Sequence, residues 1–295
     1  MGRLEGYSTI ITGGASGMGR STAELWLEEG ANVVVADLNE QNGNDLVDEM
    51  NSKGFQGRIK FVRTDVSCEA DIVRVVEAAT VAYGKLDVMF NNAGIDGAFG
   101  PITEIEADHW DQTFAVTAKG VFLGIKHAAR VMKKQEWGGS IINTGSLGSQ
   151  TAGGGPLVYS SAKAAVLRLT QSAAFELGKW RIRVNAILPG IIYTPLMHRG
   201  KPERADVVSR SVQPLPFRGE GKHIAHAALF LASNESEFVS GEYLRVDGGL
   251  FAVGPLSHTP MVSPSSKRAG MNFGLTGMEG TMRELVPEQV PTRDD

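Results

Sequence analysis

The sequence predicts an α/β fold: one large domain on a doubly wound parallel sheet of about seven strands, with helices on both faces. Three observations predict it. Short apolar runs of strand length recur through the first 250 residues, and longer helix-period segments separate them. The runs are apolar at consecutive rather than alternate positions, as expected of strands buried on both faces.

Residues 7–11 form the first expected strand, and the glycine-rich run from Gly13 to Gly19 opens a helical segment ending near Gly30. Val33, Val34 and Val35 mark the second strand. Further runs lie at 59–62, 86–90, 140–142 and 183–187, each reached through a helical pattern, and 243–246 extends one edge. Long helices are expected over 109–132 and 158–177. The rhythm breaks over 191–217, which holds Pro195, Pro202, Pro214 and Pro216 without a sustained apolar period; such a loop reads as a substrate lid. Residues 1–250 therefore form the expected domain, and 251–295 a Pro/Gly-rich C-terminal extension holding Pro255, Pro260, Pro264, Pro287 and Pro291. That tail is either disordered or an arm packing over the site or a neighbouring subunit, with Met261, Met271, Met278 and Met282 to cover apolar surface.

Composition narrows the function classes. With a formal net charge of −4 and no Lys/Arg block, the chain has no basic excess to hold a phosphate backbone, so nucleic acid is not an expected partner. Cys68 is the single cysteine, which rules out an intramolecular disulfide and a thiolate metal cluster and fits a reducing, cytoplasmic setting. No stretch approaches the roughly 20 apolar residues of a membrane span, and the charged start of the chain carries no export or anchoring pattern. No membrane partner and no metal are expected.

The run Thr12-Gly13-Gly14-Ala15-Ser16-Gly17-Met18-Gly19 falls between the first strand and the first helix, where a dinucleotide pyrophosphate docks in a Rossmann-like sheet. Glycines let the backbone approach the phosphates, and the free N–H groups of the helix start attract negative charge. Alone, the run is more readily a glycine-rich turn. Asp37 ends the second strand about 20 residues on, where a carboxylate accepts from ribose hydroxyls and repels a 2′-phosphate. By itself Asp37 is as readily a helix N-cap. Its neighbours Ser16 and Leu38 bring no cation, so the pair of motifs favours NAD over NADP.

Tyr159 and Lys163 stand one helical turn apart on an apolar-periodic helix. A phenol near pKa 10 is a poor base at neutral pH, and a neighbouring ammonium favours its phenolate. Tyr-x-x-x-Lys alone is commonly a solvated helix face, and Ser146 alone a turn residue at a strand end.

Taken together, the motifs resemble the short-chain dehydrogenase/reductase family over roughly residues 4 to 250. They are Thr12-Gly13-x-x-x-Gly17-x-Gly19, Asp65-Val66, Asn91-Asn92-Ala93-Gly94, Ser146 thirteen positions before Tyr159, Tyr159-x-x-x-Lys163, and Pro189-Gly190 followed by Thr194. The resemblance implies Tyr159 as general acid/base, Lys163 tuning it and holding the nicotinamide ribose, and Ser146 bonding the substrate oxygen. It places Asp65 and Val66 at the adenine, Asn92, Ala93 and Gly94 on the adenosine side and the cleft floor, and Ile192 and Thr194 beyond Pro189 and Gly190 at the carboxamide. The substrate it implies is a small-molecule alcohol or ketone. Ile95, Leu147, Gly148, Gly153, Gly154, Tyr193, Leu196 and Met197 would surround it, favouring an apolar, alicyclic, steroid-like or aromatic compound. His198 and Arg199 would either hold an acidic group or face water.

One position departs from the pattern: the asparagine that anchors a proton-relay water in the family falls on Thr117. Either its hydroxyl holds a shifted water, or the relay runs through backbone carbonyls. The resemblance also implies a homo-oligomer, tetramer or dimer, through the two long helices. An alternative of another class is an NAD-binding sensor or scaffold with impaired chemistry. Enoyl reductases resemble a wider Tyr-to-Lys spacing, and epimerase/dehydratases a longer chain; neither matches.

Overall fold

The computed structural model describes residues 2–198, 203, 206, 213–253, 268–270 and 282–284. In chain order the elements are β1 (Ser8–Thr12), α1 (Gly17–Glu28), β2 (Asn32–Asp37), α2 (Glu40–Ser52), β3 (Ile59–Arg63), α3 (Glu69–Tyr83), β4 (Val88–Asn91), α4 (Ala107–Phe114), α5 (Gly120–Met132), β5 (Gly139–Thr144) and α6 (Leu157–Leu177). There follow β6 (Ile182–Pro189), β7 (Ile192–Tyr193), α7 (Pro195–His198), β8 (Gly219–Glu220), α8 (Gly221–Ala232), β9 (Tyr243–Val246) and α9 (Leu250–Val253). Among the described residues, seven strands form one sheet in the order β3-β2-β1-β4-β5-β6-β9, parallel throughout. Helices cover both faces, as the sequence predicts.

The doubled apolar positions have a direct cause. Because successive strand residues face opposite sides, Ile10 and Ile11, Val34 and Val35, and Ile141 and Ile142 each place one side chain in either layer. Ile11, Val35 and Ile142 pack with Trp26 and Leu27 of α1, Leu46 of α2 and Ile224 and Ala228 of α8. Ile10, Val34 and Ile141 pack with Val75 of α3, Val121 and Ile125 of α5 and Val166 of α6.

The helix expected over 109–132 is not continuous. A π-helical turn, Ala115–Lys119, joins α4 to α5 and carries Thr117 at its centre. Such turns widen the helix by one residue and re-aim a side chain. The ends of the segment expected as a lid are joined, since β7 pairs parallel with β8. Arg199 and Pro202 lie outside the described residues, as does the His198 side chain.

Met1–Phe251 forms one compact unit and Ala252–Asp295 another. In the second, β10 (Arg268–Gly270) pairs antiparallel with β11 (Met282–Glu284). Met261, Met271, Met278 and the Met282 side chain lie outside the described residues. Among those residues no helix is long and apolar enough to cross a membrane.

One polar chain crosses the interior under the C-terminal ends of the strands. Asn91 Nδ2 donates to Asn143 Oδ1 at 2.9 Å, and Asn143 Nδ2 donates to Thr170 Oγ1 at 2.9 Å, all three residues being buried. Asn143→Ala strands the Asn91 amide in the core, while Thr170 keeps its bond to the Val166 carbonyl, so the change should cost about 2–3 kcal/mol. Urea unfolding would show this as a lower midpoint at unchanged slope.

Candidate active site

The strand order reverses between β1 and β4, and a crevice opens there at the C-terminal ends of the strands. Thr12 closes the floor of this crevice. Its Oγ1 accepts from the main-chain N–H of Asn92 at 3.0 Å and of Ala93 at 3.1 Å, while Asn92 Nδ2 donates back to the Thr12 carbonyl at 3.0 Å. The glycine loop then enters α1. Gly17 has φ +52°, and a Cβ there would sit 3.2 Å from Thr194 Cγ2, so this loop and the residue after β7 meet across the cleft. At Gly19 a Cβ would lie 2.1 Å from the Gly13 carbonyl oxygen, which leaves no room for a side chain. Ser16 is the N-cap of α1 but makes no side-chain cap bond, so it takes none of the first-turn N–H groups. Met18 is half-buried against the core beneath the loop. These groups fit a pyrophosphate.

Asp37 lies beside that loop. Its Oδ2 accepts from Ala15 N at 3.0 Å and its Oδ1 from Asn39 N at 3.0 Å. The N-cap of α2 is instead Asn39, whose side chain accepts from Asn42 N, and this removes the capping alternative for Asp37. Leu38 is exposed beside it. On the next loop Asp65 Oδ1 accepts from Ser67 N and Ser67 Oγ, and Val66 is buried with Ala93, Ile72 and Leu123. Pro189 ends β6, the Gly190 N–H bonds the Val246 carbonyl at 3.0 Å, and Ile192 is buried in β7.

Ser146, Tyr159 and Lys163 converge on the same crevice from β5 and α6. Ser146 follows β5 as the N-cap of a 3₁₀ turn, Leu147–Ser149, and its Oγ accepts from Gly148 N at 3.1 Å. The Ser146 and Tyr159 side chains share a hydrogen bond. Lys163 is buried, and its Nζ donates to the Thr144 carbonyl at 2.6 Å while lying 5.7 Å from the centroid of the Tyr159 ring. A Cβ on Gly94 would approach the same Nζ to 3.5 Å. Thr117 is fully buried, and its Oγ1 has no hydrogen-bond partner.

A family model described as enoyl-(acyl carrier protein) reductase matches residues 13–251. Momilactone A synthase of Oryza sativa subsp. japonica is 42% identical over 257 residues, covering 85% of this chain and 92% of its own. The chain belongs to the short-chain dehydrogenase/reductase family. Short-chain dehydrogenase reductase 3a of Arabidopsis thaliana is 38% identical over 257 residues, covering 86% of this chain and 98% of its own. The crystal structure of levodione reductase superimposes with a TM-score of 0.78 at 32% identity, covering 84% of this chain and 99% of that one. A short-chain dehydrogenase/reductase is an oxidoreductase using a nicotinamide dinucleotide, and the crevice is where this fold receives it.

In this member of the family, burial shifts the tyrosine and the lysine in opposite directions, each toward its neutral form. Desolvation pushes the Tyr159 phenol above its ordinary value, the Ser146 hydrogen bond pulls it partly back, and the Asp96 carboxylate raises it again. The sequence leads one to expect a lowered phenol; before any positive ring is present, loss of water is the larger effect. The Lys163 ammonium is lowered to about 8 by the same desolvation.

Sequence reasoning missed Asp96, which lies two residues beyond Gly94 on the loop that Thr113 anchors at Ala98 N, at 2.9 Å. A lone Asp between Ile95 and Gly97 reads as a turn residue, and its effect on Tyr159 depends on folding. It missed the Thr144 carbonyl too, a main-chain group no side-chain pattern can mark. Leu147, expected at the substrate, packs with Leu167, Ala186 and Leu188.

A second cavity, of about 940 Å³, opens at the opposite end of the sheet between Tyr7, Lys85, Trp137 and Arg183. Two of its cations are engaged: Lys85 pairs with Asp87 at 3.0 Å, and Arg183 donates to the Leu231 and Ser233 carbonyls at the end of α8. Arg183 thereby caps the end of α8.

Lys163 is expected to weaken the fold. Lowering its ammonium from 10.5 to about 8 corresponds to a penalty of about 3 kcal/mol on the charged form. Lys163→Met should therefore raise the denaturation midpoint below pH 8. The wild type should close the gap between pH 8 and 10.5, where its folded state sheds the proton that the unfolded chain still holds.

Proposed function

We propose that the protein is an NAD-dependent secondary-alcohol dehydrogenase and ketone reductase, with Tyr159 as general acid/base and Ser146 and Lys163 as its partners. The observation that carries this reading is the convergence of Ser146, Tyr159 and Lys163 on the crevice below the glycine loop, with Ser146 hydrogen-bonded to the phenol. The four-residue spacing of Tyr159 and Lys163 favours alcohol and ketone chemistry over enoyl reduction. Asp37, held by two main-chain N–H groups, supports NAD over NADP.

Ser146 Oγ already accepts from Gly148 N, which leaves its own hydrogen for the phenolate or for a substrate oxygen. A ketone oxygen seated between Ser146 and Tyr159 takes a hydrogen bond from the serine and the proton from the phenol as charge grows on it. The nicotinamide supplies or accepts the hydride. In the oxidation direction Tyr159 removes the alcohol proton, and the Lys163 ammonium, fixed on the Thr144 carbonyl, stabilises the phenolate. Thr117 offers the next acceptor and donor: its buried, unpartnered hydroxyl suits a water that passes the proton onward. The substrate we favour is a small apolar, alicyclic, steroid-like or aromatic alcohol or ketone, for which the relatives named for momilactone A and levodione are precedents. A homo-oligomer, tetramer or dimer, built on α5 and α6 fits the exposed Phe122 and Phe175 on those helices, and a cytoplasmic setting fits the single free Cys68.

The test is absorbance at 340 nm with NAD⁺, then NADP⁺, against a panel of apolar secondary alcohols. Reduction of NAD⁺ by wild type and not by Tyr159→Phe is the expected result. Cofactor binding without turnover on any alcohol or ketone would replace this reading with that of a sensor.

Two variants probe the proton path. Because the Ser146 hydrogen bond lowers the phenol, Ser146→Ala should move the rising limb of the oxidation pH profile to higher pH, beyond its loss of rate. Thr117→Val should lower kcat by about tenfold and enlarge the solvent isotope effect, and Thr117→Asn should restore both. An unchanged isotope effect in Thr117→Val would place the relay elsewhere.

A further inference from the structure

Asp37 does not stand alone at the end of β2. Its register partner on β3 is Arg63, one strand further out. Val35 pairs with Phe61 two residues earlier, and Val35, Phe61 and Ile59 all pack in the layer that holds α1 and α2. By the two-residue alternation of strands, Asp37 and Arg63 face that same layer, on the side from which the glycine loop enters α1. A guanidinium is thus placed next to the carboxylate that meets the ribose. It is not paired with Asp37. Arg63 Nε binds Glu40 Oε1 at 3.1 Å, and Glu40 is the first residue of α2. Arg20 of α1, in the same layer, is taken by Glu24 and Glu49. The Asp37 oxygens are occupied by Ala15 N and Asn39 N, which fix the carboxylate without neutralising it.

We propose that Glu40 is a cofactor-selectivity residue: by engaging Arg63 beside Asp37, it withholds a ready-made cation from the 2′-phosphate of NADP. Two carboxylates then set the preference. Asp37 repels the 2′-phosphate directly, and Glu40 removes the charge that would compensate. A guanidinium suits this role because it binds phosphate oxygens in a bidentate fork once its carboxylate partner is gone. The Arg63 and Glu40 side chains are 55% and 62% exposed, so the pair is weak and screened by salt, and Glu40 reduces rather than abolishes what the arginine can offer a phosphate dianion. This inference rests on the NAD reading above and adds a second determinant to it.

The test measures dissociation constants of NADH and NADPH by nicotinamide fluorescence on the full chain, without turnover. The proteins are wild type, Glu40→Gln, Asp37→Ser, Asp37→Ser with Glu40→Gln, and the last with Arg63→Gln added. Wild type should prefer NADH. Glu40→Gln should tighten NADPH relative to NADH by about fivefold, and should do so again in the Asp37→Ser background. Adding Arg63→Gln should abolish the gain, and raising the salt concentration should shrink it. An unchanged ratio in Glu40→Gln, or a gain that survives Arg63→Gln, overturns the proposal while leaving the NAD reading intact. Equal affinity of wild type for both cofactors, or for neither, overturns the NAD reading itself and this inference with it.

Discussion

The hydroxyl of Thr12 holds the two halves of the sheet together at the point where they part. By accepting from both Asn92 N and Ala93 N it ties the end of β1 to the end of β4, and these two strands bound the reversal in strand order. Everything on the cofactor side hangs from β1 through the glycine loop, and the loop bearing Gly94 and Asp96 leaves from β4. Asn92 reinforces the tie by donating to the Thr12 and Gly13 carbonyls. These carbonyls lie in a turn too tight for side chains, so the Asn92 amide satisfies main-chain groups that no strand neighbour reaches.

The frame was legible because each strand residue contributes to both layers. Ile10-Ile11 and Ile141-Ile142 can be placed only in a sheet covered on both sides, and glycines at 13, 17 and 19 mark where a side chain would strike backbone. Ser146, Tyr159 and Lys163 were legible as a spaced set. Less visible was anything created by the packing of main chain or by a local change of helical pitch. The π turn at Ala115–Lys119 leaves the composition of the helix unchanged, yet it buries the Thr117 hydroxyl without a partner. Asp96 and the Thr144 carbonyl act through distance alone, and distance across a cleft has no sequence period.

The same loss of water shapes both members of the Tyr159–Lys163 pair. Burial disfavours phenolate and ammonium alike, raising one group and lowering the other. Neither charge is comfortable singly, and each stabilises the other once formed. Lys163 keeps its proton at neutral pH with the Thr144 carbonyl as its acceptor, an arrangement that solvates the ammonium only partly. A site of this kind gives up fold stability for a group whose charge responds strongly to a new neighbour. A buried ammonium is therefore better understood here as chemistry retained against the interest of the fold than as part of what holds it together.

The polarity of the parallel sheet separates the two ends of the molecule by task. Helices α1 and α2 start beside the crevice, and their N-terminal N–H groups favour anions there, consistent with a pyrophosphate at Ser16 and Gly17. The opposite end gathers helix C-termini, and cations collect on them: Arg58 donates to the Leu27 and Ala31 carbonyls below α1, and Arg183 to those of Leu231 and Ser233 below α8. In the large cavity at that end Arg183 is spent on the backbone and Lys85 on the Asp87 carboxylate. Positive side chains are needed there for the fold, whereas at the crevice the backbone itself presents the positive field. At the crevice Asp37 accepts from the Ala15 N–H, and the Asp96 carboxylate raises the Tyr159 phenol.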